Sequence, residues 1–223
     1  MGEQLAGALA RLDEITRRLR RECPWDREQD ERSIVPHTVE EAFELADAAH
    51  SGDDAKLLDE LGDVLFQVYF LSLLLEERGA GDLAQVAEHC RQKLIRRHPH
   101  VFGDTRASTA VEAIASWDRI KSEMEGGGLF GDLPANLPAT LYAKKAQRRA
   151  GGVAEGEKDT SDGGLEEAAA RLRGAREGEE SFQAAGELLF TAVAAAAGAG
   201  ADPELALRAA ADRYIERVQG TQA

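Results

Sequence analysis

An all-α helical bundle is the fold class that this sequence predicts, and three observations carry the expectation. Alanine, leucine, glutamate and arginine dominate the chain, which favours helix by intrinsic propensity. Apolar residues recur at three- and four-residue spacing through successive runs. Several runs open on a helix start signal: Thr38-x-x-Glu41 and Thr109-x-x-Glu112 have the form of capping boxes. Asp202-Pro203-Glu204 adds a cap, a proline in the first turn and an early acid.

Residues 3–21 place Leu5, Leu9, Leu12, Ile15 and Leu19 on one stripe, an amphipathic helix ending in Arg17-Arg18-Leu19-Arg20-Arg21. Cations at a helix C-terminus complement the dipole, which is a sufficient reason for that basic run. Cys23-Pro24-Trp25-Asp26 then reads as a loop presenting a tryptophan, because proline disfavours helix in the residue before it. Trp25 is a core plug or, beside an acidic site, a surface on which a base can stack.

The next helix is expected from Thr38 to near Ser51, with Val39, Phe43, Ala46 and Ala49 apolar. A further helix over 54–78 is apolar around most of its circumference, which predicts a central position. Helices over 82–97 and 109–124 follow. His98 and His100, between Arg97 and the helix breaker Gly103, read as polar loop residues. A Gly/Pro-rich linker over 126–163 is expected to contain one short basic helix at 139–149 and a mobile glycine-rich stretch at 151–164. Three helices, 165–176, 180–197 and 203–218, complete the chain. The expected domains are 1–125 and 164–223, on either side of that linker.

The net charge of −14 argues against a general binder of nucleic-acid polymers, which needs a basic footprint. A single nucleotide remains compatible, because one divalent cation and a few bases reverse the sign of a local site. Cys23 and Cys90 form no CxxC pair, which suits a reducing compartment. The first residues carry acid and no apolar signal core, and no run approaches the roughly 18 apolar residues of a membrane helix. A soluble, cytoplasmic protein is expected.

The chemistry concentrates in residues 38–67. Glu40-Glu41-x-x-Glu44 and Glu60-x-x-Asp63 each place carboxylates three residues apart, hence on one helix face. If the two helices pack antiparallel, Glu41, Glu44, Glu60 and Asp63 converge. Converging acids repel unless a cation lies among them, and hard oxygen donors suit Mg²⁺ or Mn²⁺. The helix carrying Glu60 and Asp63 is otherwise apolar, and buried carboxylates demand partners. The basic end of the 82–97 helix, with Lys93, Arg96 and Arg97, either complements its dipole or faces an anion.

The C-terminal helices repeat this unit. Leu61-Gly62-Asp63-Val64-Leu65-Phe66 returns as Ala185-Gly186-Glu187-Leu188-Leu189-Phe190, and Glu40-Glu41-Ala42 returns as Glu166-Glu167-Ala168. The position of Glu44 is Ala170, that of Glu60 is Ala184, and that of Lys56 is Glu180. A tandem repeat with a degenerate second copy, unable to hold metal by itself, is expected.

Cys23-Pro-Trp-Asp26-x-x-Gln29, Glu40-Glu41-x-x-Glu44, Glu60-Leu-Gly-Asp63, Lys93-Leu-Ile-Arg-Arg-His-Pro-His-Val-Phe102 and Trp117-x-x-Ile-Lys121 occur in that order. Together they resemble the MazG family of nucleoside triphosphate pyrophosphohydrolases, within the all-α NTP pyrophosphatase superfamily. The resemblance implies a MazG-type bundle, a catalytic first domain, and Mg²⁺-dependent hydrolysis of NTPs and dNTPs to monophosphate and pyrophosphate, a house-cleaning of the nucleotide pool. It implies Glu41, Glu44, Glu60 and Asp63 as metal ligands, with Glu40 orienting or deprotonating water. Lys56, Lys93, Arg96 and Arg97 would contact the triphosphate, Trp25 the base, and a homodimer is implied.

Two other function classes are compatible with acids on helices. A di-iron oxidoreductase would use Glu-x-x-His pairs, but the residues three beyond Glu44 and Glu60 are Asp47 and Asp63. A non-catalytic nucleotide-sensing or partner-binding helical protein would keep the scaffold without turnover.

Overall fold

The computed structural model describes residues 2–125, 130, 133–134, 136–150 and 162–220, which form helices with no strand among them. The chain divides into two units, Met1–Ala113 and Ile114–Ala223.

The first unit is organised by a helical hairpin, α3 (Glu31–Ser51) and α4 (Asp54–Glu77). Gly52 ends α3 in the left-handed region at φ 72°, where a side chain would be strained. Asp53 then accepts from the amides of Ala55 and Lys56 and starts α4. So short a reversal leaves the two helices antiparallel neighbours, and they pack along each other. Ahead of them lie α1 (Gly2–Glu22) and the short α2 (Pro24–Glu28); after them come α5 (Leu83–Arg97) and α6 (Pro99–Phe102). Helices α1 and α5 both pack on α4, and α2 packs on α1. Ile34, Phe70 and Leu74 form the core, with Phe66 and Leu71 against it.

Three sequence expectations change here. Helix α3 begins at Glu31, not Thr38, because Asp30 accepts from the amides of Arg32 and Ser33 while Ser33 Oγ accepts from Asp30 N. That reciprocal box carries the helix through Pro36 and buries Ile34. Glu41 is thereby released from any capping role. Trp25 lies in α2 rather than in an open loop, with Pro24 at its first position, where the missing amide costs nothing. The basic end of α1 does more than complement a dipole. Arg17 forks onto Glu76 at 3.0 and 2.6 Å, and Arg20 onto Glu77 at 2.9 and 2.8 Å, so α1 is fastened to the end of α4. Arg20 also donates to the carbonyls of Asp26 and Gln29 and lies over the Phe70 ring, which ties α2 to the core.

Helix α4 is central only in its second half. Tyr69, Phe70, Leu73 and Leu74 are buried, whereas Leu58 is 75% exposed and Leu61, Leu65 and Val68 are exposed on the same outward stripe. The nearly all-round apolar pattern therefore serves two different environments along one helix.

Helix α7 (Ala110–Glu125) spans the division between the units. Its expected box is half made: Thr109 Oγ1 accepts from Glu112 N, but the Glu112 carboxylate accepts from Ser108. In the second unit, α9 (Asp162–Gly174) pairs with α10 (Glu179–Gly198), and α11 (Pro203–Gly220) packs on α10. Asp202 caps α11, accepting from Glu204 N and Leu205 N as the sequence predicts. The short helix α8 (Ala139–Ala150) packs against α10 and α11 rather than standing in a linker. Lys144 Nζ meets Asp202 at 2.6 Å, the Thr140 hydroxyl donates to Glu204, and Gln147 donates to the Phe190 carbonyl at 2.7 Å. The division accordingly falls inside α7 and not after residue 125. The expected mobile stretch, from 151 onward, lies mostly outside the described residues, as does much of 126–138.

Among the described residues no single helix is long and apolar enough to cross a membrane; α10 and α11 reach that length and composition only together, bent by 103°.

Candidate active site

The α3–α4 hairpin stacks its polar residues in order along its axis. Far from the turn, the Thr38 hydroxyl donates to Gln67 Oε1 at 3.1 Å, and Gln67 is buried. Closer to the turn, Glu41 of α3 meets Glu60 and Asp63 of α4, each offering a carboxylate oxygen within 4.8 Å of the others. Nearer still, Glu44 presses its charge on Glu60, and Lys56 lies at the start of α4. An open groove lined by Asp53, Lys56, Leu58, Asp59, Gly62 and Asp63 leads away from the cluster along α4. A Cβ on Gly62 would meet nothing within 4 Å, so the groove is open at that position.

Periodicity explains the convergence. Residues Glu41 and Glu44 share one face of α3, and Glu60 and Asp63 share one face of α4. The antiparallel pairing brings the two faces to the same level. Glu60 is only 7% exposed, Glu41 is half-buried, and Glu44 and Asp63 are exposed.

The electrostatics show how unfavourable the cluster is without a cation. Burial pushes the Glu41 carboxyl above its ordinary value, and the charges of Asp63, Glu44, Glu60 and Glu40 add to it. Burial likewise raises Glu60, reinforced by Glu44, Asp63 and Asp59 and opposed by Lys56. Like charges crowded at low solvent exposure favour the neutral form. A divalent cation would reverse that balance, and three convergent carboxylate oxygens are donors that a hard metal ion takes.

The other residues singled out from sequence divide into two groups. Glu44 lies outside the three-membered group but acts electrostatically on two of its members. Glu40 is exposed, 3.6 Å from His37 Nδ1, and its charge reaches Glu41. Lys56 is the cation among the charges acting on Glu60. Trp25 is exposed at the end of the α1–α2 arm, its ring 5.6 Å from that of His37. Lys93, Arg96 and Arg97 lie in the last two turns of α5, Arg96 exposed and the other two half-buried. Their charges do not figure among those that shift Glu41 or Glu60.

Two partners were not legible from the motifs. His37 escapes a reading that starts the helix at Thr38, although its spacing of four from Glu41 would have marked it once Asp30 was recognised as the cap. Gln67 sits in an apolar run and becomes meaningful only when α3 supplies Thr38.

The description "MazG nucleotide pyrophosphohydrolase domain" matches residues 29–102, which contain the whole hairpin. A crystal structure of a mazG-related protein from Thermotoga maritima aligns with 51% of this chain and 98% of its own, at 26% identity and a TM-score of 0.44. The nucleoside triphosphate pyrophosphohydrolase/pyrophosphatase MazG of Thermotoga maritima is 36% identical over 200 residues, covering 87% of this chain and 77% of that protein. The nucleoside triphosphate pyrophosphohydrolase of Escherichia coli is 35% identical over 224 residues, covering 93% and 84% respectively. At that identity over so much of both sequences, the chain belongs to the MazG family.

Proposed function

We propose that the protein hydrolyses nucleoside triphosphates, NTPs and dNTPs, to the monophosphate and pyrophosphate at the Glu41–Glu60–Asp63 cluster. The observation that carries this reading is the approach of those three carboxylates to within 4.8 Å, between helices of a MazG-family chain. Glu41, Glu60 and Asp63, with Glu44 beside them, are the proposed ligands of Mg²⁺, with Mn²⁺ as a substitute. When bound, that ion polarises the α-phosphorus and lowers the pKa of the attacking water.

The remaining steps fall to side chains. Glu40, exposed beside Glu41, is the proposed acceptor of the proton that water loses as its oxygen bonds to the α-phosphorus. The bond from that phosphorus to the oxygen bridging to the β-phosphate breaks, and pyrophosphate leaves. Lys56 neutralises the charge that develops on it, where a fixed cation is worth more than a mobile one. Lys93, Arg96 and Arg97 are further triphosphate contacts on the strength of the family motif alone. House-cleaning of the cytoplasmic nucleotide pool, rather than action on a nucleic-acid polymer, suits both the open acidic groove and the charge of −14.

Incubation with Mg²⁺ and a panel of NTPs and dNTPs is expected to yield pyrophosphate and monophosphate, with no orthophosphate. Nucleotide binding without pyrophosphate release would instead mark the protein as a sensor or partner-binding scaffold.

A homodimer belongs to the same proposal. The outward stripe of α4, Leu58, Leu61, Leu65 and Val68, leaves a row of apolar side chains in water. Residues 58 and 65 correspond to Phe182 and Leu189 of α10, which are also exposed, so the second copy keeps part of this face, while Ala170 and Ala184 stand at the positions of Glu44 and Glu60. Helices group in the same way around α4 and α10, which supports a degenerate repeat retained as scaffold. Light scattering is expected to give twice the chain mass of 24.1 kDa, and a monomer at micromolar concentration would refute the dimer.

A further inference from the structure

We propose that Thr38 and Gln67 are positioning residues for the metal site. Their hydrogen bond fixes the register of α3 on α4, so that Glu41, Glu60 and Asp63 meet at a spacing that suits Mg²⁺ over the larger Ca²⁺. This deepens the pyrophosphohydrolase reading and rests on it for the assignment of those carboxylates as ligands.

The first support is that the bond departs from local habit. A hydroxyl inside a helix ordinarily bonds the carbonyl one turn back. Thr16, Ser72 and Thr191 do so, at 2.9, 2.7 and 2.8 Å, each within its own helix. Thr38 instead lies nearer to Gln67 Oε1, at 3.1 Å, than to the Ile34 carbonyl, at 3.4 Å. Gln67 is only 5% exposed and sits between Phe66 and Val68. A buried carboxamide costs stability that an apolar side chain in its place would not, so burial alone does not account for glutamine here. Apolar contact is non-directional and tolerates sliding, whereas a directional bond between helices does not. Single buried polar residues set register in coiled coils in this way.

The second support is the placement of the pair. Thr38 precedes Glu41 by three residues and Gln67 follows Asp63 by four, so each partner shares a helix face with a carboxylate of the cluster. The turn at Gly52 and Asp53 holds the hairpin at one end, and Thr38–Gln67 holds it on the far side of the carboxylates. Glu41 lies about 16 Å along α3 from Gly52, so the turn alone is a long lever. One residue of slip moves a helix by about 1.5 Å, most of a Mg–O bond length. Mg²⁺ takes oxygens at about 2.0–2.1 Å in near-ideal octahedral geometry, whereas Ca²⁺ accepts about 2.3–2.6 Å and irregular shells. Loss of register therefore penalises Mg²⁺ more.

The third support comes from the second copy. By the correspondence that sets Ala170 and Ala184 at the positions of Glu44 and Glu60, Gly164 stands at that of Thr38 and Thr191 at that of Gln67. The Thr191 hydroxyl donates to the Glu187 carbonyl of its own helix. Where those acids are gone, both members of the pair are gone with them.

The test follows the electron paramagnetic resonance of Mn²⁺ bound to the full-length protein without nucleotide, displaced by Mg²⁺ or by Ca²⁺. The thermal midpoint of the metal-free protein is taken alongside. Thr38→Val is expected to weaken Mg²⁺ roughly tenfold, as loss of an outer partner of a metal site does, and to leave Ca²⁺ nearly unchanged. It should also lower the midpoint, because Gln67 is left buried without its partner. Thr38→Ser keeps the hydroxyl and should retain the wild-type preference for Mg²⁺ over Ca²⁺. Combining Thr38→Val with Gln67→Met removes both polar partners, so the midpoint should recover while the preference stays as low as in Thr38→Val. A merely structural pair would move affinity and midpoint together. Parallel weakening of the two ions, an unchanged preference in Thr38→Val, or a preference restored with the midpoint in the double variant would overturn the proposal. A wild-type protein that binds no Mn²⁺ would sink the metal assignment and this proposal with it. The expected preferences without pyrophosphate release from nucleoside triphosphates would sink the catalytic reading alone.

Discussion

Glu60→Gln is expected to remove pyrophosphate release while raising the thermal midpoint of the metal-free protein. The two effects share one cause. Glu60 is nearly isosteric with glutamine, so the packing of α4 against α3 persists, but a buried charge among other acids disappears. Even the outer hydrogen-bond partners of metal ligands are typically worth roughly 10–100-fold, so loss of a ligand carboxylate should cost more than that. Turnover within a few-fold of wild type, or a lower metal-free midpoint, would sink the assignment of Glu60.

The pH dependence of this effect has a definite sign. Glu41 and Glu60 have their proton affinity raised above the ordinary carboxyl value of 4.5, so folding takes up protons between 4.5 and the raised values. Their contribution to metal-free stability therefore grows as the pH falls through that window, and is lost above it. Mg²⁺ requires the deprotonated carboxylates, so its stabilising increment should grow as the pH rises through the same window and level off above it. Glu76 and Glu77, held below the ordinary value by hydrogen bonds from Arg17 and Arg20, act oppositely. They contribute stability above their unfolded value, and it is lost as the pH falls through their folded one. Taking midpoints with and without Mg²⁺ at each pH cancels those remote groups. In Glu60→Gln the increment should vanish at every pH.

Phe70→Ala is expected to destabilise the first unit by about 3–5 kcal/mol, the usual range for a fully buried phenylalanine. Phe70 is 1% exposed, packs with Ile34 and Leu74, and has the Phe66 ring at 5.8 Å and the Arg20 guanidinium over its face. Truncation leaves a cavity at the junction of α3 and α4 and removes the surface on which Arg20 lies. Against a typical domain stability of about 5–15 kcal/mol, that loss is a large fraction. Hydrogen exchange should show it in α1, α3 and α4, with the amides of α8 to α11 protected as in wild type. Uniform loss of protection through both units would refute this assignment of the core.

Helices were the most legible feature, because periodicity and capping chemistry are local. Asp202 caps α11 where the sequence places it, and α5 begins one residue after its expected start, with Asp82 as its cap. Boundaries failed where two start signals competed. Thr38-x-x-Glu41 has the form of a box, yet Asp30 with Ser33 forms one earlier, and only the burial of Ile34 makes that choice visible. The linker expectation failed at α8 because the partners of Thr140 and Lys144 are Glu204 and Asp202, some sixty residues away.

What the sequence determined by itself is the chemistry that could exist: acids at helical spacing on two adjacent runs, and a second copy from which Glu44 and Glu60 have become Ala170 and Ala184. Tertiary structure decided how those acids differ from one another. Glu41, Glu60 and Asp63 meet within 4.8 Å, while Glu44 stands outside that group and acts on it by charge. It also decided that Trp25 faces outward beside His37, fixed there by Arg20 reaching across from α1. Spacing along a helix sets which side chains share a face. The distance between faces, and the burial that raises a carboxyl's proton affinity, exist only once α3 and α4 have packed.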